Sequence, residues 1–359
     1  MSVDSQHRSG RQPVMADVAR VAGVSQKTVS RVVNDAPNVR GPVRARVLEA
    51  IDDLGFRPNA AARALVTQRT ATIGIVTPGI PLYGPSAQLF GLERAAREAG
   101  YAVVIVSTAG GGRDELEAAV DRLLALQVDG LAIGAPVGGV GLPAAAFRGV
   151  PAIIVGDPLV DTAGCVWVSC DQATGARAAT QHLLSLGHRT VWHVAGPPTW
   201  HSAEVRRESW AQALAEAGVE QEDPLVGDWT AASGYAAGLR LAERPDVTAV
   251  FAANDHMAVG VLRAFREHGR DVPAEVSVVG FDDTPESEYA MVPLTTVRQD
   301  FDALGRRAIA ELVAGLSGRR SGAGPITLPV ELVVRHSSGP APVTALEPST
   351  LRTRPLTGS

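Results

Sequence analysis

The stretch AGVSQKTVSRVVN, residues 22–34, decides the fold of the N-terminal part of this chain. Gly23 predicts a tight turn, and Ser25 follows where a hydroxyl caps the first backbone N–H groups of a new helix. Val29, Val32 and Val33 then recur at three- and four-residue spacing, which is typical of a helix with one buried face. The stretch therefore predicts a turn followed by a short helix.

The opposite face of this predicted helix is polar. Its side chains have the length that reaches base edges and phosphates from the major groove of DNA. Upstream, the small residues Ala19 and Ala22 indicate a first helix that crosses the second closely, as a helix-turn-helix requires. The alternative interpretation is a small helix pair whose polar face is merely solvated. The candidate DNA contacts in this segment are Ser25, Gln26, Lys27, Thr28, Ser30, Arg31 and Asn34.

A third helix and an alanine-rich segment follow. The helix is predicted over 42–54, and residues 55–65 read GFRPNAAARAL. In this order the segments resemble the headpiece and hinge of the lac repressor (LacI/GalR) family of bacterial transcription regulators. The resemblance implies that Asn59, Ala62 and Leu65 also contact DNA, within a hinge helix whose leucine enters the minor groove. An alanine-rich linker with an incidental leucine is the alternative.

The composition excludes several classes of protein. With 359 residues, of which 45% are hydrophobic, the chain is long enough for two to three domains with real cores. It holds no run of about 18 apolar residues, and its first residues lack the apolar core of a signal peptide. We therefore expect a cytoplasmic protein with no membrane segment. Cys165 and Cys170 are expected to be core thiols, and the sequence predicts no metal site and no cofactor.

Charge is distributed unevenly along the chain. Residues 1–70 hold 11 Lys and Arg against 6 Asp and Glu, whereas the rest of the chain holds 22 against 32. The net charge of −5 at pH 7 therefore conceals a basic N-terminal segment on an acidic body. This asymmetry favours attraction of the first segment to nucleic acid without non-specific binding by the rest of the chain.

From Ala71 onward the pattern changes to short apolar runs separated by amphipathic helical stretches. This alternation indicates buried parallel sheets with helices on both faces. One sheet is predicted from the runs at 72–76, 101–106, 130–133 and 152–155. A second sheet is predicted from the runs at 191–195, 249–253 and 276–281, and its helices lie near 172–186, 203–217, 233–242, 255–268 and 301–314.

The predicted architecture is an all-α helix-turn-helix headpiece with a hinge helix, followed by an α/β sensor of two doubly wound parallel-sheet subdomains. The sensor resembles the periplasmic sugar-binding proteins and the sensor half of the lac repressor family. Its matching motifs include AGP at 195–197, GDW at 227–229, AND at 253–255 and SVVGFDDT at 277–284. The predicted boundaries are 13–57 for the headpiece, 58–70 for the hinge and linker, 71–335 for the two-lobed effector-binding domain and 336–359 for a disordered tail.

Small ligands of this architecture bind where the strand ends of the two lobes face each other. A sugar presents hydroxyls around its rim and an apolar C–H face, so its site needs polar side chains and a flat aromatic platform. Trp229 is a candidate platform, while Arg206 and Asp282 are candidate clamps. The alternatives are a core tryptophan and a simple ion pair. The resemblance implies effector contacts at Leu82, Pro85, Ser202, Arg206, Trp229, Asn254, Asp282, Gln299 and Phe301.

Two departures from the family bear on which sugar would be bound. The family has a polar residue where this chain has Pro78. It has an acidic residue where this chain has Gly156, unless a slip of one residue brings Asp157 to that position. A galactoside is therefore one candidate effector, and another mono- or disaccharide is the other.

The leading hypothesis is a sugar-responsive, sequence-specific transcription repressor that binds a palindromic double-stranded operator as a homodimer. A tetramer is not expected, because residues 338–359 contain no apolar heptad. One alternative is a sugar-binding transport protein, which the absence of a signal peptide disfavours. The other is an enzyme acting on a nucleotide or a sugar phosphate. No phosphate-binding glycine loop follows the first strand, and His193 and His201 have no evident nucleophile, so no catalysis is expected.

Overall fold

The structure is a computed structural model that describes residues 12–57, 69–109, 112–134, 141–156, 165–319 and 325–342. The chain divides into two compact units, with the boundary between Thr70 and Ala71. This division coincides with the change of sequence pattern at Ala71. Among the described residues, no helix is both long enough and apolar enough to cross a membrane.

The described part of the first unit consists of α1 Met15–Ala22, α2 Gln26–Val33 and α3 Gly41–Leu54. Gly23 ends α1 in the left-handed conformation at a φ of 65°, where a residue with a Cβ would be strained. The Oγ of Ser25 accepts a hydrogen bond from the backbone N–H of Thr28 at 3.2 Å and caps α2. The predicted turn and the predicted cap are both confirmed.

A small apolar core holds these helices together. Val18, Val29 and Val47 contribute one fully buried side chain from each helix, and Phe56 closes the core after α3. Burial of one such side chain contributes about 1.5–3 kcal/mol. Because Val29 and Val32 face this core, the polar side of α2 points outward.

The described part of the second unit consists, in chain order, of β1 Thr72–Pro78, α4 Tyr83–Glu98, β2 Ala102–Thr108, α5 Arg113–Ala125, β3 Gly130–Gly134, a 3-10 helix Ala144–Phe147, β4 Ala152–Val155, β5 Val166–Cys170, α6 Gln172–Ser185, β6 Trp192–Ala195, α7 His201–Glu216, β7 Leu225–Val226, α8 Ala231–Ala242, β8 Ala249–Ala252, α9 Asp255–Glu267, β9 Ser277–Val279, β10 Thr296–Arg298, α10 Phe301–Leu316, β11 Pro325–Leu328 and β12 Glu331–Val333. Strands and helices therefore alternate as the sequence predicts.

These elements form two lobes, each built on a parallel sheet. The sheet of the first lobe has the strand order β11-β5-β4-β3-β1-β2, and the sheet of the second has the order β7-β6-β8-β9. Strand β3 is buried along its whole length, as expected for a central strand with helices on both faces of its sheet. The predicted fold class is confirmed.

The last elements of the second unit connect its two lobes. Strand β10 pairs antiparallel with β12, and β11 returns the chain to the edge of the first sheet. The sequence assigned the helix at 301–314 to the second sheet, which is wrong. Helix α10 packs on the first lobe, where Leu304, Ala308 and Leu312 join the core. Its apolar stripe fits the face of either sheet, so periodicity alone could not choose between them.

The second unit also continues past the predicted boundary at residue 335. Ser337 Oγ donates a hydrogen bond to the carbonyl of Val278 at 2.6 Å, and the N–H of Ala341 donates to the carbonyl of Leu186 at 2.9 Å. The prediction of a disordered tail is therefore wrong for residues 336–342, whose polar groups are held by the second lobe. The rest of that predicted tail lies outside the described residues.

Candidate functional site

The outward face of α2 carries exposed polar side chains. Those of Gln26, Lys27, Arg31 and Asn34 are exposed, and those of Thr28 and Ser30 are half-buried. The side chains of Gln26, Lys27 and Arg31 make no hydrogen bond or ion pair with any other described residue. Since nothing in that part of the chain engages them, they are available to base edges and phosphates.

Two of the predicted DNA contacts also have a local structural role. Ser25 Oγ caps the helix and lies 2.9 Å from Thr28 Oγ1, so both hydroxyls are engaged at the start of α2. The three predicted hinge contacts, Asn59, Ala62 and Leu65, lie outside the described residues.

The start of α1 is held by an unusual cap. Val14 has no polar side chain to offer, and instead its backbone N–H donates to the carboxylate of Asp17 at 3.0 Å. This bond satisfies one N–H at the helix start, and the negative charge of Asp17 lies where the helix dipole favours it. At the other end of the motif, Arg44 pairs with Asp35 and fixes the turn after α2.

A cleft opens between the two lobes of the second unit. All nine effector contacts predicted from the sequence line it: Leu82, Pro85, Ser202, Arg206, Trp229, Asn254, Asp282, Gln299 and Phe301. Reasoning from the sequence missed further lining side chains, among them Tyr83, Gln88, Gln172, Trp200 and His201. The cleft therefore combines aromatic walls with a set of polar groups, as small-molecule sites commonly do.

The polar groups of the cleft form a ring of four side chains. Arg206 Nε donates to Gln172 Oε1 at 2.9 Å, and Gln172 Nε2 donates to Gln299 Oε1 at 2.8 Å. Gln299 Nε2 donates in turn to Asp282 Oδ1 at 2.7 Å. The ring closes because Asp282 Oδ1 lies 3.7 Å from Arg206 Nη2. We call this set the polar ring.

Both charges of the polar ring are buried. The side chains of Arg206 and Asp282 are 6% and 8% exposed. Burial raises the pKa of Asp282, while the nearby guanidinium and the bond from Gln299 oppose that rise. The guanidinium also lies 3.7 Å from the centre of the Phe281 ring and donates to the carbonyl of Ala253. The sequence left two interpretations of Arg206 and Asp282 open, a simple ion pair and a clamp for the ligand. The observed geometry fits both.

Asp282 is positioned by a strained backbone and a rigid loop behind it. Its φ of 112° is in a region that residues with a Cβ rarely adopt. Asp255 holds the following loop, because its carboxylate accepts bonds from Thr284 N–H at 2.8 Å and from Ser287 Oγ at 2.6 Å. Burial raises the pKa of Asp255 to about 7. The adjacent Asn254 faces the cleft and caps α9 through a bond from Met257 N–H at 2.9 Å.

Two tryptophans form the aromatic wall of the second lobe. The rings of Trp200 and Trp229 meet edge to face, with their centres 5.9 Å apart and their planes at 79°. Trp229 is 6% exposed and belongs to the core cluster of its lobe as well as to the cleft wall. Its ring lies against Gly196, where a Cβ would come within 2.3 Å of it. Close packing therefore fixes the position of this indole.

A second aromatic pair lies on the first lobe. Tyr83 and Phe301, at the starts of α4 and α10, have ring centres 6.1 Å apart and planes at 74°. Burial, with Asp282 as the next contributor, raises the pKa of the Tyr83 hydroxyl to about 12, so this phenol stays neutral. Phe301 packs against the core of its lobe. The cleft thus has an aromatic corner on each side.

The two departures from the family pattern also line the cleft. Pro78 and Gly156 lie in its wall, so the wall has no polar side chain at these two positions. Asp157, the alternative to Gly156, lies outside the described residues. No group of three or more acidic, His or Cys side chains within the described ranges is arranged to hold a metal ion.

The histidines and cysteines occupy different environments. His201 lines the cleft, whereas His193 lies in the core of the second lobe, stacked 4.8 Å from Phe251 and 5.1 Å from Trp210. Complete burial lowers the pKa of His193 to about 4. Cys165 is half-buried and Cys170 is buried.

Comparison with known proteins identifies relatives of both units. Residues 14–59 match the family described as bacterial regulatory proteins, lacI family, and residues 180–338 match the periplasmic binding protein-like domain. The lactose operon repressor of Escherichia coli (strain K12) is 36% identical over 325 residues, which are 90% of this chain and 89% of that protein.

Solved structures give the same result. The lac repressor dimer bound to operator and the anti-inducer ONPF is similar with a TM-score of 0.81 at 33% identity, covering 92% of this chain and 100% of that one. A complex of the transcriptional regulator CelR with cellobiose is similar with a TM-score of 0.67 at 33% identity, covering 91% and 100%. The helix-turn-helix, the two-lobed sensor and these similarities agree, and the chain belongs to the lacI family of bacterial regulatory proteins.

Proposed function

We propose that this regulator binds a palindromic operator through α2 and that a small neutral sugar in the cleft changes its affinity for that operator. The observation that carries the proposal is that the side chains of Gln26, Lys27 and Arg31 are exposed and unengaged by other described residues on α2, in a basic N-terminal segment. It acts by binding rather than by catalysis, in the cytoplasm, where the operator DNA is accessible.

The proposed roles on α2 follow from side-chain chemistry. Gln26 and Lys27, at the start of the helix, discriminate bases, because the N-terminal residues of a recognition helix reach the base edges. Arg31, one turn further along, contacts a base or a phosphate. Leu65 acts as a wedge in the minor groove, where an apolar side chain unstacks one base step and kinks the duplex.

The chemistry of the cleft supports a neutral sugar as the effector. Among the described residues that line it, the charged side chains are Arg206 and Asp282, which face each other and offset one another. Aromatic rings supply faces for the C–H surface of a sugar, and the amides of Gln172, Gln299 and Asn254 supply donors and acceptors for its hydroxyls. The relative CelR has been solved with cellobiose, which also favours a sugar.

Self-association is proposed from exposed apolar side chains on the second unit. Phe90 is 71% exposed, and Tyr289 and Met291 are 81% and 78% exposed. Large apolar side chains at such exposure commonly mark protein interfaces. A homodimer covering them would also present two recognition helices to the two halves of a palindrome.

The test is selection of an operator from randomised duplexes by the full chain, followed by titration with and without sugars. We expect a palindromic consensus whose affinity changes when a sugar binds. Lys27→Ala should relax preference at one symmetric pair of positions, at a cost of about 1–3 kcal/mol. Arg46→Ala is the matched control, because it removes an exposed cation from α3 instead of α2. Equal loss of affinity for all sequences in the Lys27→Ala variant would contradict its role in base discrimination.

A further inference from the structure

The chain passes between the two lobes next to strands β10 and β12. It leaves the second lobe after β10 and enters the first at α10, and it returns between β11 and β12. Because β10 and β12 pair antiparallel, Arg298 at the end of one lies opposite Glu331 at the start of the other, with their charged groups 3.6 Å apart. We call residues 299–300 and 329–330 the lobe crossings. A change in the angle between the lobes bends the chain at these crossings.

The carboxylate of Asp283 lies between β10 and the segment that follows β12. Its Oδ2 accepts a hydrogen bond from Arg298 Nε at 2.6 Å, and its Oδ1 lies 2.7 Å from Arg335 Nη2. The Asp283 side chain is only 8% exposed, so water and salt screen these charge contacts little. Through Arg298 this one buried group also reaches Glu331, at the start of β12.

The residue before Asp283 makes the matching contact inside the cleft. Asp282 accepts the bond from Gln299 in the polar ring, whereas Asp283 accepts from Arg298 and lines a separate surface pocket with it. Two adjacent residues of one loop are thus joined to two adjacent residues at one crossing. Both aspartates have positive φ values, 112° and 55°, and such backbone conformations persist only where the surrounding contacts hold them.

The carboxylate of Asp283 can still accept a further hydrogen bond. Among the described residues none donates to its Oδ1, although the guanidinium of Arg335 lies beside that atom. A buried acceptor without a hydrogen bond is unfavourable, so a small shift that aligns an N–H with this oxygen gains a bond. The contact therefore has a second arrangement close to the first, which is what an element that couples two states requires.

We propose that Asp283 is a positioning residue that transmits the binding of an effector from the cleft to the lobe crossings. This inference rests on the proposed function and adds the route by which a bound ligand changes the angle between the lobes. A ligand that displaces Gln299 from Asp282 moves the first crossing, and the contact between Asp283 and Arg298 carries that movement to Glu331 and the second crossing. Without Asp283 the ligand still binds, but the crossings do not follow.

The experiment measures the affinity of the full chain for its selected operator with and without saturating sugar. The probe is whichever of cellobiose, lactose, maltose, glucose and galactose binds the unmodified chain most tightly by calorimetry. We expect this sugar to change the operator affinity of the unmodified chain by about 5- to 150-fold. In Asp283→Asn the ratio of the two affinities should fall to within about twofold of unity, while sugar affinity without operator stays within about threefold.

A second pair of variants tests the other side of the contact. Arg298→Met removes the donor and should abolish the response as Asp283→Asn does, whereas Arg298→Lys keeps a cation there and should retain most of it. Because Arg298 is half-exposed, these variants are expected to fold, and thermal unfolding checks this. Coupling is reciprocal, so operator should also cease to change sugar affinity in the variants that lose the response.

Asp246→Asn is the matched control for loss of an aspartate paired with an arginine. Asp246 pairs with Arg244 at 2.9 Å in the loop between α8 and β8, in the same lobe as Asp283. Its replacement should leave operator affinity, sugar affinity and the ratio between the two operator affinities unchanged.

Two results would overturn the inference while leaving the proposed function in place. One is an unchanged response to sugar in folded Asp283→Asn and Arg298→Met. The other is a loss of sugar affinity itself in these variants, which would show that Asp283 supports the cleft rather than its connection to the crossings. Failure of every sugar to bind the unmodified chain, or to change its operator affinity, would overturn the proposed function together with this inference.

Discussion

The position of the Trp229 indole depends on the absence of a side chain at residue 196, and the substitution Gly196→Ala tests that dependence. A Cβ at this position would lie 2.3, 2.4 and 2.7 Å from three carbons of the indole. Non-bonded carbons pack best at about 3.5–4.0 Å, so the ring would have to shift by roughly 1.2 Å or more. The backbone at Gly196 lies outside the left-handed region, so alanine causes no backbone strain there. The expected effect of the substitution therefore comes from the steric clash between the new Cβ and the indole.

The indole has little space into which it could shift. Its edge-to-face neighbour Trp200 stands on one side, and its own backbone is held at a φ of 73°. Overpacking of this kind costs about 1–3 kcal/mol, which for a domain of this size lowers the melting temperature by roughly 2–4 °C for each kcal/mol. A ring displaced by about 1.2 Å no longer matches the face of a bound sugar. We therefore expect sugar affinity to fall by about 10- to 100-fold, or about 1.4–2.8 kcal/mol.

The assay combines thermal unfolding with two titrations, one with operator DNA and one with the sugar that binds the unmodified chain most tightly. Gly196→Ala should weaken sugar binding and leave sugar-free operator affinity unchanged, because the recognition helix belongs to the other unit. The matched control is Gly315→Ala in α10, where the nearest neighbour of a new Cβ is Pro151 at an ordinary 3.7 Å. A helical alanine there should stabilise by about 0.5–1 kcal/mol. Unchanged melting temperature and sugar affinity in Gly196→Ala would refute the assignment of Trp229 to the cleft wall.

Three further outcomes are expected. Trp229→Ala should abolish the response to sugar while operator binding persists. Leu65→Ala should weaken operator binding because it removes the minor-groove wedge, while the sugar affinity of the free protein stays nearly unchanged. Paired titrations with operator and sugar check both. Sedimentation should show about twice the 37.4 kDa chain mass, and a dominant species of four chains would contradict the expected dimer. Burial lowers the pKa of His193 from 6.5 to about 4, so the unfolded chain binds the proton first as the pH falls. This group therefore contributes stability above about pH 6.5 that is lost towards pH 4, up to about 3 kcal/mol, and denaturant titrations should find that loss absent in His193→Phe.

Much of the fold could be predicted because local patterns and tertiary packing agree. Gly23 and Ser25 mark the turn and the cap of α2 by chemistry that acts within a few residues. The apolar runs of the second unit are short and nearly continuous, which is typical of central strands such as β3 that are buried along their whole length. Chemical complementarity to a sugar, together with the family resemblance, also singled out Trp229 and Arg206, and both line the cleft.

What could not be predicted depends on contacts between distant segments. The bond between Gln172 and Gln299 joins residues 127 positions apart, and nothing near Gln172 in the sequence marks it as a cleft residue. Trp200 follows two prolines and a threonine, where an aromatic residue reads as an ordinary loop position. The order of strands β10, β11 and β12 is set by the crossings between lobes, and three or four residues in a strand carry too weak a pattern to reveal that order.

The polar ring restricts the chemistry of whatever enters the cleft. Each hydrogen bond in it runs in one direction, from Arg206 through Gln172 and Gln299 to Asp282, so both amides donate and accept at once. A ligand group that replaces one of these bonds must satisfy the donor and the acceptor it separates, because a buried group left unpaired costs about 1–3 kcal/mol. A carboxylate satisfies only the donor and an ammonium only the acceptor, whereas a hydroxyl satisfies both. The ring can therefore open without loss for a ligand whose groups both donate and accept, as hydroxyls do, which is why its geometry favours a sugar over a charged effector of the same size.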